Sequence, residues 1–139
     1  MKKYYYLLMV MFLAVLSVGF ASCGDDEDEP KNSSIVGTWQ IKAVDDFGTY
    51  ESLIQFTKNG KWHSVDIYTE NGETEVEVEH GTYSISGDKL YITYTDDGED
   101  FTETVTYAVK GDKLTLTYMD YPVGIIYARV KDSVIEKYL

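Results

Sequence analysis

Hydrophobic and polar residues alternate along most of the chain after residue 34, and a period of two is typical of β-strands with one buried face. The more apolar positions are the even ones in residues 90–94 and the odd ones in residues 105–109. Four glutamates also occupy every second position of one segment. They are Glu73, Glu75, Glu77 and Glu79, and the residues between and after them are Thr74, Val76, Val78 and His80. We expect these glutamates to face water and the valines to face the core.

Seven turn signals interrupt this alternating pattern. Asn-Gly and Asp-Gly pairs tolerate the positive φ angles of tight hairpin turns, so they are strong hairpin markers. The signals are residues 45–48, Asn59-Gly60, Asn71-Gly72, Gly87-Asp88, Asp97-Gly98, Gly111-Asp112 and residues 120–124. Seven turns predict eight strands. No segment has a convincing helical period, and residues 131–139 are expected to form at most a short turn.

One hairpin pattern occurs twice. Residues 82–96 return as residues 106–120, with an offset of 24 residues. Two copies of a hairpin indicate an up-and-down sheet, because a solenoid needs at least three repeats. Closure of such a sheet removes its exposed edges. The predicted fold class is therefore all-β, an eight-stranded antiparallel up-and-down barrel.

The N-terminus has the pattern of a secretion signal. A positive start with Lys2 and Lys3 precedes an uncharged apolar run over residues 4–18, and small residues follow. These three features are typical of a cleaved signal peptide, and the run is short for a membrane span, which needs roughly 20 apolar residues. We expect residues 1–22 to be removed.

The chain has a single cysteine, Cys23, which excludes an internal disulfide. Phe20-Ala21-Ser22-Cys23 resembles the lipobox of bacterial lipoproteins, with Phe20 where that family usually has Leu. The resemblance implies that Cys23 is lipidated and becomes the new N-terminus, whose acyl chains would anchor the chain stably. The alternative is an incidental cysteine in a membrane-spanning anchor.

Five consecutive acids occupy residues 25–29 and cannot be buried together, so residues 23–34 are predicted to be a lipidated cysteine followed by an acidic disordered tether. The acidic run resembles the surface-export signal of some Gram-negative lipoproteins, and a plain solvated spacer is the other reading. The resemblance implies an outer-membrane lipoprotein at the cell surface of a Gram-negative bacterium. Residues 35–139 would form one domain.

Charge excludes several classes of partner. Loss of Lys2 and Lys3 with the signal would leave 10 basic and 24 acidic residues, a net charge of −14. Nucleic-acid binding needs a basic surface, and so does docking on anionic lipid headgroups. We therefore expect no nucleic-acid partner, and contact with the membrane only through the lipid on Cys23.

Two short motifs at the ends of the predicted domain carry a family resemblance. Gly37-Thr38-Trp39 resembles the Gly-X-Trp signature on the first strand of lipocalins, and residues 127–130 resemble the last strand of lipocalin-like bacterial lipoprotein domains. In that superfamily an arginine of the last strand packs over the tryptophan and closes the barrel. The resemblance implies that Trp39 and Arg129 form this pair. It covers residues 35–131.

Candidate catalytic and metal-binding residues are few. His63 and His80 have no metal-type spacing, and a triad of Ser64, His63 and an acid lacks a nucleophile elbow or oxyanion motif. The acidic residues 96–100 lack the spaced ligands of an EF-hand, so a hairpin turn is preferred to a calcium site. We therefore predict no catalytic residues, no metal and no cofactor.

The aromatic residues are better evidence for ligand binding than the candidate catalytic residues are for catalysis, because tyrosine offers both an apolar face and a hydroxyl. The predicted function is a noncatalytic binding module for a small apolar or amphipathic ligand, and the alternative is a protein-interaction or inhibitor domain with a packed barrel. Access is expected between Asn59-Gly60 and Asp97-Gly98. The predicted inward residues are Trp39, Ile41, Phe56, Tyr94, Tyr107 and Tyr127, and the candidate ligand contacts among them are Phe56, Tyr94, Tyr107 and Tyr127.

Overall fold

A computed structural model describes residues 34–139, and the predicted signal peptide, Cys23 and residues 24–33 lie outside the described residues. Each strand pairs with the next and β8 pairs with β1, which closes the barrel. The predicted eight-stranded antiparallel up-and-down barrel is confirmed. Its elements are β1 (Gly37–Val44), β2 (Gly48–Phe56), β3 (Lys61–Glu70), β4 (Glu73–Ser86), β5 (Lys89–Asp96), β6 (Glu99–Lys110), β7 (Lys113–Tyr118), β8 (Tyr121–Val130) and α1 (Ser133–Glu136).

Positive φ angles occur at five of the predicted turns, in glycines 60, 72, 87, 98 and 111. The last turn is shorter than predicted, because β8 already begins at Tyr121. The register between β7 and β8 shifts between Leu116 and Tyr118. Pro122 fits in the strand there, since an irregular ladder does not need the N–H that proline lacks.

The barrel interior holds the main core. Trp39, Phe56 and Tyr127 are almost fully buried in it, and Ile41 belongs to the same cluster. Tyr94 and Tyr107 are partly buried and pack against it. All six residues predicted to point inward therefore contribute to this core.

The four β4 glutamates are exposed as expected, but the face of the sheet predicted for them and for the valines is wrong. In the β3–β4 register, Asp66 lies opposite Glu77, and Tyr68 lies opposite Glu75. Tyr68 packs against the interior core, and directly opposed residues share a face of the sheet, so the glutamates are on the inner face. Val76 and Val78 lie on the outer face with 45% and 38% of their surface exposed. Hydrophobicity predicts the alternation along β4, but the partner strand decides which face each residue occupies.

A second apolar cluster lies on the outside of the barrel. Ile135 of α1 is fully buried against Leu53 and Val65, which project outward from β2 and β3. The Thr38 hydroxyl donates a hydrogen bond of 2.7 Å to Asp132, just before the helix. The short turn expected in residues 131–139 is thus a one-turn helix that covers an apolar part of the outer wall.

The two ends of the barrel differ in how well their strands are joined. At the end where β1 begins, called the closed end, β1 pairs with β8 through three residues, 38–40. The β4–β5 pairing begins at Gly81, so residues 73–80 of β4 are paired with β3 but not with β5. The opposite end, called the open end, carries the β1–β2, β3–β4, β5–β6 and β7–β8 turns, and there the wall divides between β4 and β5 and between β8 and β1.

Candidate functional site

Trp39 and Arg129 meet at the closed end. They are direct register partners on β1 and β8, and the guanidinium carbon of Arg129 lies 4.1 Å from the centre of the Trp39 ring. Arg129 Nη1 and Nη2 donate hydrogen bonds to the carbonyl oxygens of Val36 and Ser34 at 3.0 and 3.1 Å. Trp39 Nε1 donates to the Ile35 carbonyl oxygen at 2.8 Å. The two side chains hold the segment before β1 across this end.

Gly37 gives the Gly-X-Trp motif a structural reason. Its φ angle is +137°, and a Cβ atom at this position would lie 2.5 Å from Arg129 Nη1. Side chains larger than hydrogen are disfavoured both by this backbone conformation and by the arginine above it. The glycine, tryptophan and arginine therefore act as one packing unit.

The four candidate ligand residues lie within or against the interior core. Phe56 and Tyr127 are 1% exposed, and both are enclosed by other core side chains. Tyr94 is stacked on Phe101 with ring centres 5.9 Å apart. A role of Phe56, Tyr94, Tyr107 and Tyr127 in ligand contact stays a prediction.

A cavity of about 230 Å³ lies elsewhere, at the open end. Its wall combines aromatic rings with hydroxyl and carboxyl groups, from Asp45, Phe47, Gly48, Thr49, Tyr50, Tyr68, Thr69 and Glu70. The rings of Tyr50 and Tyr68 lie 5.1 Å apart and are tilted by 37°. The first of these tyrosines is buried and the second is half-buried, so they form the inner wall.

The expected access route is wrong. Asn59-Gly60 joins β2 to β3 and lies at the closed end, whereas Asp97-Gly98 joins β5 to β6 at the open end. In an up-and-down barrel successive turns alternate between the two ends, so a turn and the third turn after it are on opposite ends. A ligand would instead reach the cavity past the β1–β2 turn.

Carboxyl groups line the interior beside this cavity. The Tyr50 hydroxyl donates a hydrogen bond of 2.9 Å to Asp66. Burial raises the pKa of the Asp66 carboxyl, hydrogen bonds from Ser52 and Tyr50 oppose this shift, and the charge of Glu77 adds to it. Burial also raises the pKa of Tyr50, with the Asp66 charge as the next cause.

Two further carboxyl groups lie on the same inner wall, where both remain exposed to solvent. Burial raises the pKa of Glu79, and the charges of Asp66 and Glu77 add to the shift. Burial raises the pKa of Glu103 as well, with a smaller effect of Asp120. The open half of the barrel thus concentrates negative charge on its inner wall, and sequence reasoning missed this feature because it placed the β4 glutamates outside.

Residues 35–105 match the family model described as a lipocalin-like domain. The chain belongs to the lipocalin-like domain family. The match begins before the Gly-X-Trp motif and extends into β6, so it includes the closed-end tryptophan and the cavity residues. A comparison with curated proteins finds no significant match.

Ser64 and His63 of the lipocalin-like domain cannot form a triad. They are adjacent in β3, and adjacent strand residues point to opposite faces of a sheet. Ser64 is on the inner face, and His63 is on the outer face. Lipocalin-like domains are generally non-enzymatic.

The remaining metal candidates of the lipocalin-like domain divide into an acidic turn and a histidine pair. Within residues 34–139, no group of three or more His, Cys, Asp or Glu side chains is placed to hold a metal ion. In the acidic turn, Asp100 accepts a hydrogen bond of 2.6 Å from Thr95. His63 and His80, however, are direct register partners with their Nδ1 atoms 2.7 Å apart. Sequence spacing missed this pair because the register of a hairpin brings together residues that are far apart in the chain.

No helix in residues 34–139 has the length and apolar character to cross a membrane.

Proposed function

We propose that the lipocalin-like domain is a noncatalytic binding module that takes a small amphipathic molecule at its open end. The observation that carries this proposal is the cavity of about 230 Å³ between the β1–β2 turn and the ends of β2 and β3. Ligand sites combine apolar walls with a few polar groups that orient the ligand, and this cavity has both.

The cavity wall indicates how such a ligand would lie. Its apolar part would pack on the rings of Tyr50, Tyr68 and Phe47, and its polar part would meet Asp45 or Glu70 at the rim. Small-molecule pockets usually start at about 300 Å³. The cavity is smaller, so we expect a compact ligand or one that projects partly into solvent.

The proposal also includes a location. The signal-like N-terminus and the lipobox resemblance support a lipid anchor on Cys23, and the acidic run at residues 25–29 supports placement at the surface of a Gram-negative outer membrane. A ligand site at one end of a tethered barrel would then be open to the medium.

The test is a thermal-shift screen with fatty acids, sterols and short sugars on the wild type, on Tyr68→Ala and on Tyr91→Ala. Tyr68 lines the cavity, whereas Tyr91 is the matched control on β5, next to the inward Leu90 and Ile92 and so on the outer face. We expect a ligand that raises the melting temperature of the wild type and of Tyr91→Ala but not of Tyr68→Ala. No shift with any compound, or an equal shift in all three proteins, would contradict the proposal.

A second function, protein interaction with a packed barrel, is favoured by exposed apolar side chains at the open end. Phe47 in the β1–β2 turn is 73% exposed, and Met119 in the β7–β8 turn is 85% exposed. Exposed apolar groups that share one end of a domain are typical of docking surfaces. A partner that binds the wild type but not Phe47→Ser/Met119→Ser, together with a negative ligand screen, would support this function instead.

A further inference from the structure

The two histidines of the domain form a pair on its outer wall. His63 on β3 and His80 on β4 lie directly opposite each other, with ring centres 5.0 Å apart and ring planes at 78°. The Nδ1 atoms are 2.7 Å apart, which is hydrogen-bond distance. His80 is exposed and His63 is half-buried, so solvent reaches the pair.

The pair is separate from the interior. Trp62 and Ser64, the neighbours of His63 in β3, face the core, and so His63 faces outward with Val65. His80 shares that outer face as its register partner. Whatever binds at the histidines therefore does not enter the cavity at the open end, and this inference does not rest on the proposed function.

We propose that His63 and His80 form a two-histidine binding site for a late first-row transition-metal ion, with Cu²⁺ as the preferred ion. Imidazole nitrogen suits Cu²⁺, Ni²⁺ and Zn²⁺, and affinity among divalent ions of this row is highest for Cu²⁺.

The distance between the nitrogens is close to the spacing of two neighbouring ligands on a metal ion. With metal–nitrogen bonds of about 2.0–2.1 Å, two ligands at the right angle of a tetragonal Cu²⁺ site are about 2.9 Å apart, and two at a tetrahedral Zn²⁺ site are about 3.3 Å apart. The observed 2.7 Å is closer to the first value. In the hydrogen bond the two lone pairs point nearly along the line between the rings, because the Nδ1 atoms are 2.7 Å apart and the ring centres 5.0 Å apart. Each ring must therefore turn by about 45° before both lone pairs meet at the right angle of one tetragonal Cu²⁺ ion. Both rings are accessible to solvent, His80 as an exposed and His63 as a half-buried side chain.

Metal binding here requires a change of tautomer and no net loss of a proton from the neutral pair. In the hydrogen bond, one ring carries its proton on Nδ1 and the other accepts it. When both Nδ1 atoms bind the metal, the donor ring carries its proton on Nε2 instead. Two metal–nitrogen bonds then replace the hydrogen bond between the two Nδ1 atoms. The remaining coordination positions of the metal are open to water or to a group from outside the chain.

Lys61 lies two residues before His63 in β3 and therefore on the same outer face of the sheet. Its positive charge repels a metal cation. Replacement of Lys61 should therefore tighten metal binding, which a nonspecific surface interaction with carboxylates elsewhere would not show.

The experiment is a Cu²⁺ titration of the full chain in detergent, with Cys23→Ser in every variant so that the thiol does not compete. The proteins compared, all with Cys23→Ser, are the otherwise unchanged chain, His63→Gln, His80→Gln, Lys61→Ala and the control Thr74→Ala. Thr69 and Thr74 form another outward cross-strand pair of the same hairpin, with their hydroxyl oxygens 3.0 Å apart. Calorimetry gives affinity and stoichiometry, and electron paramagnetic resonance gives the number of bound nitrogens.

We expect one Cu²⁺ per chain with two equatorial nitrogens, and unchanged binding in Thr74→Ala. Each histidine variant should bind Cu²⁺ at least about 10–100-fold more weakly, because removal of even an outer-shell partner of a metal ligand has an effect of that size. Lys61→Ala should bind more tightly. Circular dichroism of the metal-free variants identifies any that are unfolded. If a histidine variant does not fold, the number of nitrogens bound to Cu²⁺ in the chain with both histidines decides the question. An oxygen-only spectrum, or equal affinity in folded His63→Gln or His80→Gln, would overturn the proposal.

Discussion

The guanidinium carbon of Arg129 lies 4.1 Å from the centre of the Trp39 ring, although 89 residues separate them in the sequence. The arginine also donates two hydrogen bonds to the segment before β1. β1 and β8 are joined by only three residue pairs, and this contact is one of them. It therefore fastens the first strand of the barrel to the last.

Arg129→Ala should lower the free energy of unfolding by about 0.5–2 kcal/mol, the usual size of a cation–π contact of intermediate burial. Urea denaturation measures the loss. Arg129→Lys keeps the positive charge but not the planar group with two donors, so its stability should lie between those of the alanine variant and the wild type. An alanine variant as stable as the wild type would show that the contact does not hold β1 and β8 together.

Gly37→Ala should destabilise the barrel by about 1–3 kcal/mol because alanine at a φ of +137° is strained. Its Cβ would also lie 2.5 Å from Arg129 Nη1. Gly72→Ala is the control for backbone strain without a clash, because Gly72 has a φ of +83° and no atom lies within 4 Å of the added Cβ. The double variant Gly37→Ala/Arg129→Ala should cost less than the sum of the single variants, because the second change removes the clash. Strict additivity would contradict this explanation.

The interior carboxyl groups predict a pH dependence of stability. Burial raises the pKa values of Asp66, Glu79 and Glu103 in the folded chain, so between the unfolded and folded pKa values the folded state binds more protons. These groups contribute stability that is fully present below their unfolded pKa and is lost as pH rises through the folded pKa. The slope for one such group is at most about 1.4 kcal/mol per pH unit, and solvent screening makes it smaller for Glu79 and Glu103, whose side chains are exposed.

Asp66→Asn tests this directly. The asparagine oxygen still accepts the Tyr50 hydrogen bond but carries no charge to bury. We expect a smaller fall in the free energy of unfolding than in the wild type as the pH rises from about 4, near the ordinary pKa of Asp, to 7, measured by urea titrations at each pH. The control Asp97→Asn changes an exposed turn residue and should leave the slope as it is. A steeper slope in Asp66→Asn would reverse the predicted sign.

Cys23→Ala should abolish lipid attachment and leave an uncleaved or soluble precursor. The reason is the position of Cys23 directly after Ala21-Ser22, at the end of the apolar run. Incorporation of labelled palmitate is the measurement. Labelling of the alanine variant at the level of the wild type would exclude Cys23 as the lipidated residue.

Replacement of the five acids at residues 25–29 by alanine should reduce exposure of the protein at the cell surface. Protease treatment of intact cells measures this, with palmitate labelling as the control that anchoring itself is unchanged. If the protease digests both forms equally, the run serves only as a spacer.

Strand number and turn positions could be predicted from the sequence because both depend on local chemistry. Asn71-Gly72 and Asp97-Gly98 have positive φ angles in the structure, as these residue types allow. The face of each strand was harder to predict. Val76 and Val78 are the apolar residues of their segment, yet they lie outside, because Trp62 and Tyr68 on the neighbouring strand face inward and the register carries the glutamates with them.

The sequence by itself determined an all-β chain of eight strands, because alternation and turn residues are local properties, and the pairing of Trp39 with Arg129 was implied only by the resemblance of two short motifs to lipocalins. Only the tertiary structure decided which residues share a face, an end or a contact. The His63–His80 pair, the inward carboxyl groups and the cavity beside Tyr50 and Tyr68 all depend on strand register and on where the wall of the barrel divides. Register is a relation between two strands, and one strand's pattern does not contain it.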